Sequence, residues 1–127
     1  MEYLNVIAAA AASWIFGAIW YSSMSKHWMA AAGLTPETLN SKNYPAFVAS
    51  FICALIVAGM MRHIFQWGSF EGLMMGLVGG LGLGLFIAGP WIVTNYMFAQ
   101  RARNLILIDV TYAAVGSAIM GFVLMLF

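Results

Sequence analysis

The sequence predicts an all-α, polytopic membrane protein: a four-transmembrane-helix bundle with a short interfacial helix after the first span. Three observations lead there. Apolar residues make up 64 % of the 127-residue chain and charged residues only 7 %. Four stretches approach the ~20 mainly apolar residues that a helix needs to cross a hydrocarbon core about 30 Å thick. Apolar side chains occupy successive positions, whereas a membrane-barrel strand alternates apolar with polar. A soluble domain carries about 25 % charged residues to meet water. Nine charged side chains cannot cover a surface of this size. The lipid bilayer is the expected cover, and residues 1–127 are expected to form one integral membrane domain. The formal net charge of +1 argues against a nucleic-acid partner, because there is no basic patch to displace phosphate counterions.

The first span is expected at about residues 3–21. The run Ala8 to Ala12 resembles the apolar part of a signal peptide, but Glu2 is the only charge before it. The apolar stretch also continues through Trp14 and Phe16 to Trp20, so it reads as a retained span. In the loop that follows, Lys26, His27, Trp28 and Met29 read as a short interfacial helix ended near Gly33. Thr35-Pro36-Glu37 then reads as a helix start, with Thr35 as N-cap. The second span is expected at about 44–61, with Pro45 in the first turn, where a missing N–H costs little. The third is expected at about 70–98 and the fourth at about 105–127. Aromatic side chains mark the span ends, among them Trp20, Tyr21, Trp28, Tyr44, Trp67 and Tyr96. Such rings favour the membrane–water boundary. Cys53, the one cysteine, has no partner for an internal disulfide and reads as a small buried hydrophobe.

Loop charges suggest an orientation. Lys26, Lys42, Arg101 and Arg103 fall on one side and Arg62 alone on the other. Basic loops stay cytoplasmic, so N-out and C-out is the expectation.

Gly68, Gly72, Gly76, Gly80 and Gly84 recur every four residues, forming four overlapping GxxxG motifs. In water, each glycine inside a helix costs about 1 kcal/mol against alanine. In a membrane, glycine lets another helix backbone approach closely. Ala9, Ser13 and Gly17 of the first span, and Ala113, Ser117 and Gly121 of the fourth, repeat the spacing. Two partners stay open. The ladder forms a homo-oligomer interface, with a dimer favoured, or it packs inside one bundle. The motif marks close approach and not partner identity. Further along, Gly89-Pro90 interrupts the span: proline removes an N–H and clashes with the carbonyl of Phe86. Broken helices flank binding sites in transporters, but plain proline kinks are also common in membranes.

Asp109 carries the most chemical information. It lies in the apolar run Leu105-Ile106-Leu107-Ile108-Asp109-Val110, about 9 Å of helical rise beyond Arg103. A carboxylate facing lipid costs about 2.5–3.5 kcal/mol at the bilayer centre, so it is expected to face the bundle interior. Tyr112 shares its helix face. Asn95 and Tyr96 lie at the same end of the third span, Trp20 and Tyr21 at that end of the first. The candidate site for a ligand or proton is therefore Trp20, Tyr21, Asn95, Asp109 and Tyr112, with Arg101 or Arg103 within reach to close it. One reading has the cluster bind a proton, a cation or a small polar solute. The other has it pin three helices together. Glu71 reads as a helix-dipole partner at the start of the third span.

Support for an enzyme is slight, and neither a metal nor a cofactor is expected. His27 and His63 are expected in successive loops, on opposite sides of the membrane. There is no HExxH, no cysteine pair and no nucleotide-binding loop. The ten methionines read as packing. Two functions follow as expectations: binding or transport of a small solute or ion around Asp109, or a non-catalytic accessory or scaffold subunit packing through the glycine ladder.

Two stretches carry a family resemblance. The first is Phe16-Gly17-Ala18-Ile19-Trp20-Tyr21-Ser22, followed by Lys26 and Trp28. The second is Asn95-Tyr96, then Arg101, Leu105, Leu107-Ile108-Asp109, Tyr112 and Gly116. Together they resemble the bacterial membrane family called domain of unknown function 1761, over nearly the whole chain. The resemblance implies four spans and a bacterial inner membrane, and it places Trp20, Tyr21, Asn95, Asp109 and Tyr112 in a shared pattern. It assigns none of them a role. Ser23 stands where the family often has proline.

Overall fold

The computed structural model describes residues 3–39 and 42–127, so Glu2 lies outside the described residues. These residues form five helices and no strand: α1 (Leu4–Ser23), α2 (Ser25–Ala32), α3 (Tyr44–Trp67), α4 (Leu73–Phe98) and α5 (Arg103–Leu124). All but α2 are long and apolar enough to cross a membrane, and the chain is a multi-pass membrane protein. The shortest of the four has 20 residues. At about 1.5 Å rise per residue it matches the ~30 Å hydrocarbon thickness. Large apolar side chains cover the outside: Ile19, Ile56, Met74 and Phe86 are each more than 60 % exposed. Cys53 is exposed too, which corrects the buried reading. Its apolar neighbours are apolar because they face lipid, not because they face a core.

The fourth span, α5, is the hub. It packs along α4 on one side and α1 on the other, while α3 rests mainly on α1. Small residues make the α1–α3 contact close. Ala9, Ala10 and Ala58 are wholly buried, with Met61 and Phe65 of α3 and Met120 and Leu124 of α5 filling the space around them. Trp14 Nε1 donates to Ser50 Oγ at 2.9 Å and ties the same two helices.

Helix ends follow local chemistry. Gly33 adopts the left-handed conformation (φ 75°) that ends α2. Asn43 caps α3, its side chain accepting from Ala46 N–H at 3.4 Å, with Pro45 in the first turn. The helix start expected at Thr35 is a single turn. Thr35 N–H donates to Thr38 Oγ1 at 2.8 Å, and Leu39 N–H donates to the Thr35 carbonyl at 2.8 Å. The two threonines satisfy each other's backbone groups, and no helix propagates from them.

The second span ends later than expected. α3 runs past Met61 to Trp67, so Arg62 and His63 lie on the helix rather than in a loop. Arg62 places its guanidinium 4.7 Å from the ring centre of Tyr3, a cation–π contact that lets a charge stay on a helix near its end. The turn to α4 is consequently short. It contains Gly68, which caps α3, and Gly72, whose φ of 89° and ψ of 159° suit only glycine.

The glycine ladder therefore divides. Gly68 and Gly72 serve the turn. Gly76, Gly80 and Gly84 lie on α4 and face α5. A Cβ on Gly76 would meet the Gly121 carbonyl, one on Gly80 the Ser117 carbonyl, and one on Gly84 the Ala113 carbonyl. The rungs mate in antiparallel order with the small residues of the fourth span. Beyond them, residues 84–88 form a π-helical turn, in which Gly89 N–H reaches the Gly84 carbonyl. Wider i→i+5 bonding just before Pro90 absorbs the ring that would clash with an ordinary α-helical carbonyl. The helix continues through the proline to Phe98.

Candidate functional site

Asp109 sits six residues into α5, partly buried, where the ends of α1 and α4 converge on that helix. Tyr21, in the last turn of α1, donates its hydroxyl to Oδ1 at 2.5 Å. Tyr96, in the last turn of α4, donates to Oδ2 at 2.6 Å. One carboxylate thus joins three helices through two charge-assisted hydrogen bonds. Such bonds are shorter and stronger than neutral ones. A carboxylate has about four lone-pair sites, so two remain.

The other expected members take different places. Trp20 bonds the backbone beside the acid, its Nε1–H donating to the Ile108 carbonyl at 3.1 Å. Tyr112 contributes its ring, lying parallel to Phe16 at 6.2 Å between centres and edge-on to Tyr21 at 5.3 Å. Its hydroxyl makes no hydrogen bond to Asp109. Gly17 makes room for that ring: a Cβ there would lie 2.8 Å from Tyr112 Cε1. Asn95 is exposed and outside the cluster. Neighbours on a helix point about 100° apart. Once Tyr96 faces α5, Asn95 cannot. Neither arginine pairs with Asp109. Arg101 donates Nη2 to the Ala32 carbonyl at the end of α2, at 3.4 Å, and Arg103 is exposed.

Beside the carboxylate lies a half-open cavity of about 200 Å³, lined by Trp28, Ala32, Tyr96, Arg101, Leu105 and Asp109. Four of these residues lay outside the set expected from sequence, Trp28, Ala32, Tyr96 and Leu105, and Tyr96 takes the place expected of its neighbour Asn95. Leu105 could have been found, because it precedes Asp109 by four positions and shares its face. Trp28 and Ala32 could not, because only the fold lays α2 against α5. Trp28 also meets Tyr21 edge-on at 6.3 Å. The walls thus offer a carboxylate, a guanidinium and two aromatic rings around one small space. Among the described residues no group of three His, Cys, Asp or Glu could hold a metal.

At the opposite end of α1, Asn5 donates Nδ2 to the Leu124 carbonyl at 3.4 Å. That bond ties α1 to the end of α5, far from Asp109.

A family model described as protein of unknown function (DUF1761) matches residues 4–125. No curated protein matches the chain, and no solved structure does. The matched region takes in all four membrane-spanning helices, the interfacial helix and every residue around Asp109, and the chain belongs to the DUF1761 family of proteins of unknown function.

Proposed function

We propose that this membrane protein binds or transports a small polar solute or ion at the site beside Asp109. One observation carries the reading. The carboxylate is held by two tyrosines yet borders a half-open cavity of about 200 Å³, with no ion pair among the described residues. An intramembrane acid that only pinned helices would be expected to turn its remaining lone pairs against protein. An acid left facing space has acceptor capacity for something else. Lys26, Arg101 and Arg103 gather at the same end of the bundle. By the positive-inside rule that end, and the mouth of the cavity, face the cytoplasm.

The scaffold reading has less to rest on. The rungs Gly76, Gly80 and Gly84 are filled by the chain's own α5, so they are not free for a second protein or a second copy. A homodimer would have to use another face, such as the surface around Gly59 or Gly82, where an added Cβ meets nothing.

Native mass spectrometry of protein released gently from membranes tests the binding reading. A discrete small-molecule adduct is expected on the wild type and is lost in Asp109→Asn. A bare protein, or an adduct indifferent to the substitution, returns Asp109 to a purely structural role. The same spectra report any dimer directly.

A further inference from the structure

The cavity beside Asp109 has two charges of opposite sign on its wall. Asp109 supplies a carboxylate and Arg101 a guanidinium, and no ion pair joins them. Opposite charges lining one small space attract each other. Here other bonds hold them apart. Two tyrosines orient the carboxylate from α1 and α4, and the Ala32 carbonyl of α2 occupies one N–H of Arg101. The guanidinium has five N–H donors, so four remain. Trp28 and Tyr96 add aromatic surface to the same wall. Such faces attract an ammonium and stack on the stem that carries it.

We infer that the cavity takes a zwitterion: an ammonium that meets Asp109 and the aromatic faces, joined by a short linker to a phosphate or carboxylate that meets Arg101. This inference rests on the binding reading above and narrows it. A ligand carrying one charge satisfies one wall and leaves the other charged group with donor or acceptor capacity unused. A ligand carrying both completes each pair and adds no net charge. Size agrees. A cavity of about 150 Å³ accepts benzene, and this one is somewhat larger. Ammonium and oxyanion on a two- or three-atom linker occur both in free solutes and in the headgroup of a zwitterionic lipid. The half-open cavity at the membrane boundary is accessible to either.

The test titrates delipidated, detergent-solubilised full-length protein by native mass spectrometry. The two-charge probes are the phosphodiesters glycerophosphoethanolamine and dihexanoyl phosphatidylethanolamine. The one-charge controls are ethanolamine and inorganic phosphate. A two-charge probe is expected to bind about ten-fold or more tighter than either control. Asp109→Asn and Arg101→Gln are each expected to weaken it by about ten-fold or more, as for loss of a charged hydrogen-bond partner. Binding of the lipid alone assigns the site to a headgroup, and binding of both probes assigns it to the free solute chemistry as well. Arg101 is exposed, so Arg101→Gln should fold, and circular dichroism checks each variant. Ethanolamine binding as tightly as the two-charge probes, with Arg101→Gln silent, overturns the zwitterion and leaves a plain cation site, consistent with the broader reading. Failure of every probe on folded protein also overturns it, while the membrane-derived adduct judges the broader reading separately.

Discussion

Asp109 shows how much one residue can organise. Its two oxygens each accept a tyrosine hydroxyl, one from the preceding helix and one from the first, 88 residues away in sequence. Hydrogen bonds to a charged group contribute about 1.5–3 kcal/mol in water-soluble proteins. Double-mutant cycles inside membranes give less, about 0.6 on average and about 1.7 at most. Tyr21→Phe and Tyr96→Phe are each expected to destabilise the fold by about 1–2 kcal/mol. Unfolding in mixed micelles measures this, and a cycle of Tyr21→Phe with Asp109→Asn should give a coupling of similar size. A coupling near zero would sink the bond. Asn95→Ala, on the exposed face, is expected to stay within about 0.5 kcal/mol of wild type. The acid, its need for an interior face and one of its donors, Tyr21, were legible in the sequence, whereas Tyr112, expected as a second donor, contributes only its ring. The choice between Asn95 and Tyr96 was not legible. Both are polar and adjacent, and the helix phase that selects one is set by packing along the whole of α4.

At the scale of elements, the α4–α5 pair depends on backbone-to-backbone approach. A Cβ on Gly80 would collide with the Ser117 carbonyl and approach Ala118 Cα. Backbone cannot swing away as a side chain can, so the helices must separate. Gly80→Ala is expected to cost about 1–3 kcal/mol, as overpacking does in well-packed interiors. Gly82 lies on the same helix with open space where its Cβ would be. Gly82→Ala is expected to be neutral or to add up to about 1 kcal/mol through helix propensity. Thermal aggregation of both variants in one detergent compares them directly. Equal losses would mean that the ladder face is not where the helices meet. Periodic glycines announced a close contact well before its partner was visible. The ladder in the helix is also shorter than the spacing implies. Gly68 and Gly72 keep the four-residue spacing, but the helix begins only at Leu73. Spacing counts residues and cannot see that a turn has intervened.

The whole molecule is a bundle whose exterior is as apolar as its interior. Burial within the chain therefore says little about stability in water, and the bilayer is its proper solvent. Orientation is testable on that basis. With Cys53→Ser as background, Gln66→Cys at the exposed end of α3 is expected to react with a membrane-impermeant maleimide on intact cells. Thr38→Cys, in the exposed turn after α2, is expected to react only after permeabilisation. The reverse pattern would invert the topology and turn the cavity outward.

The sequence by itself determined an all-helical membrane fold with four long apolar helices and a short helix after the first. These are local properties, set by how each stretch partitions between water and lipid. Only the tertiary structure decided what each helix face meets. α5 rather than a second copy fills the glycine rungs, and α2 brings Trp28 and Ala32 beside Asp109. Lipid tails are as apolar as leucine, so the hydrophobic effect does not choose between a neighbouring helix and the bilayer. That choice comes from shape and from a few directed hydrogen bonds, which become defined only when all the helices are in place.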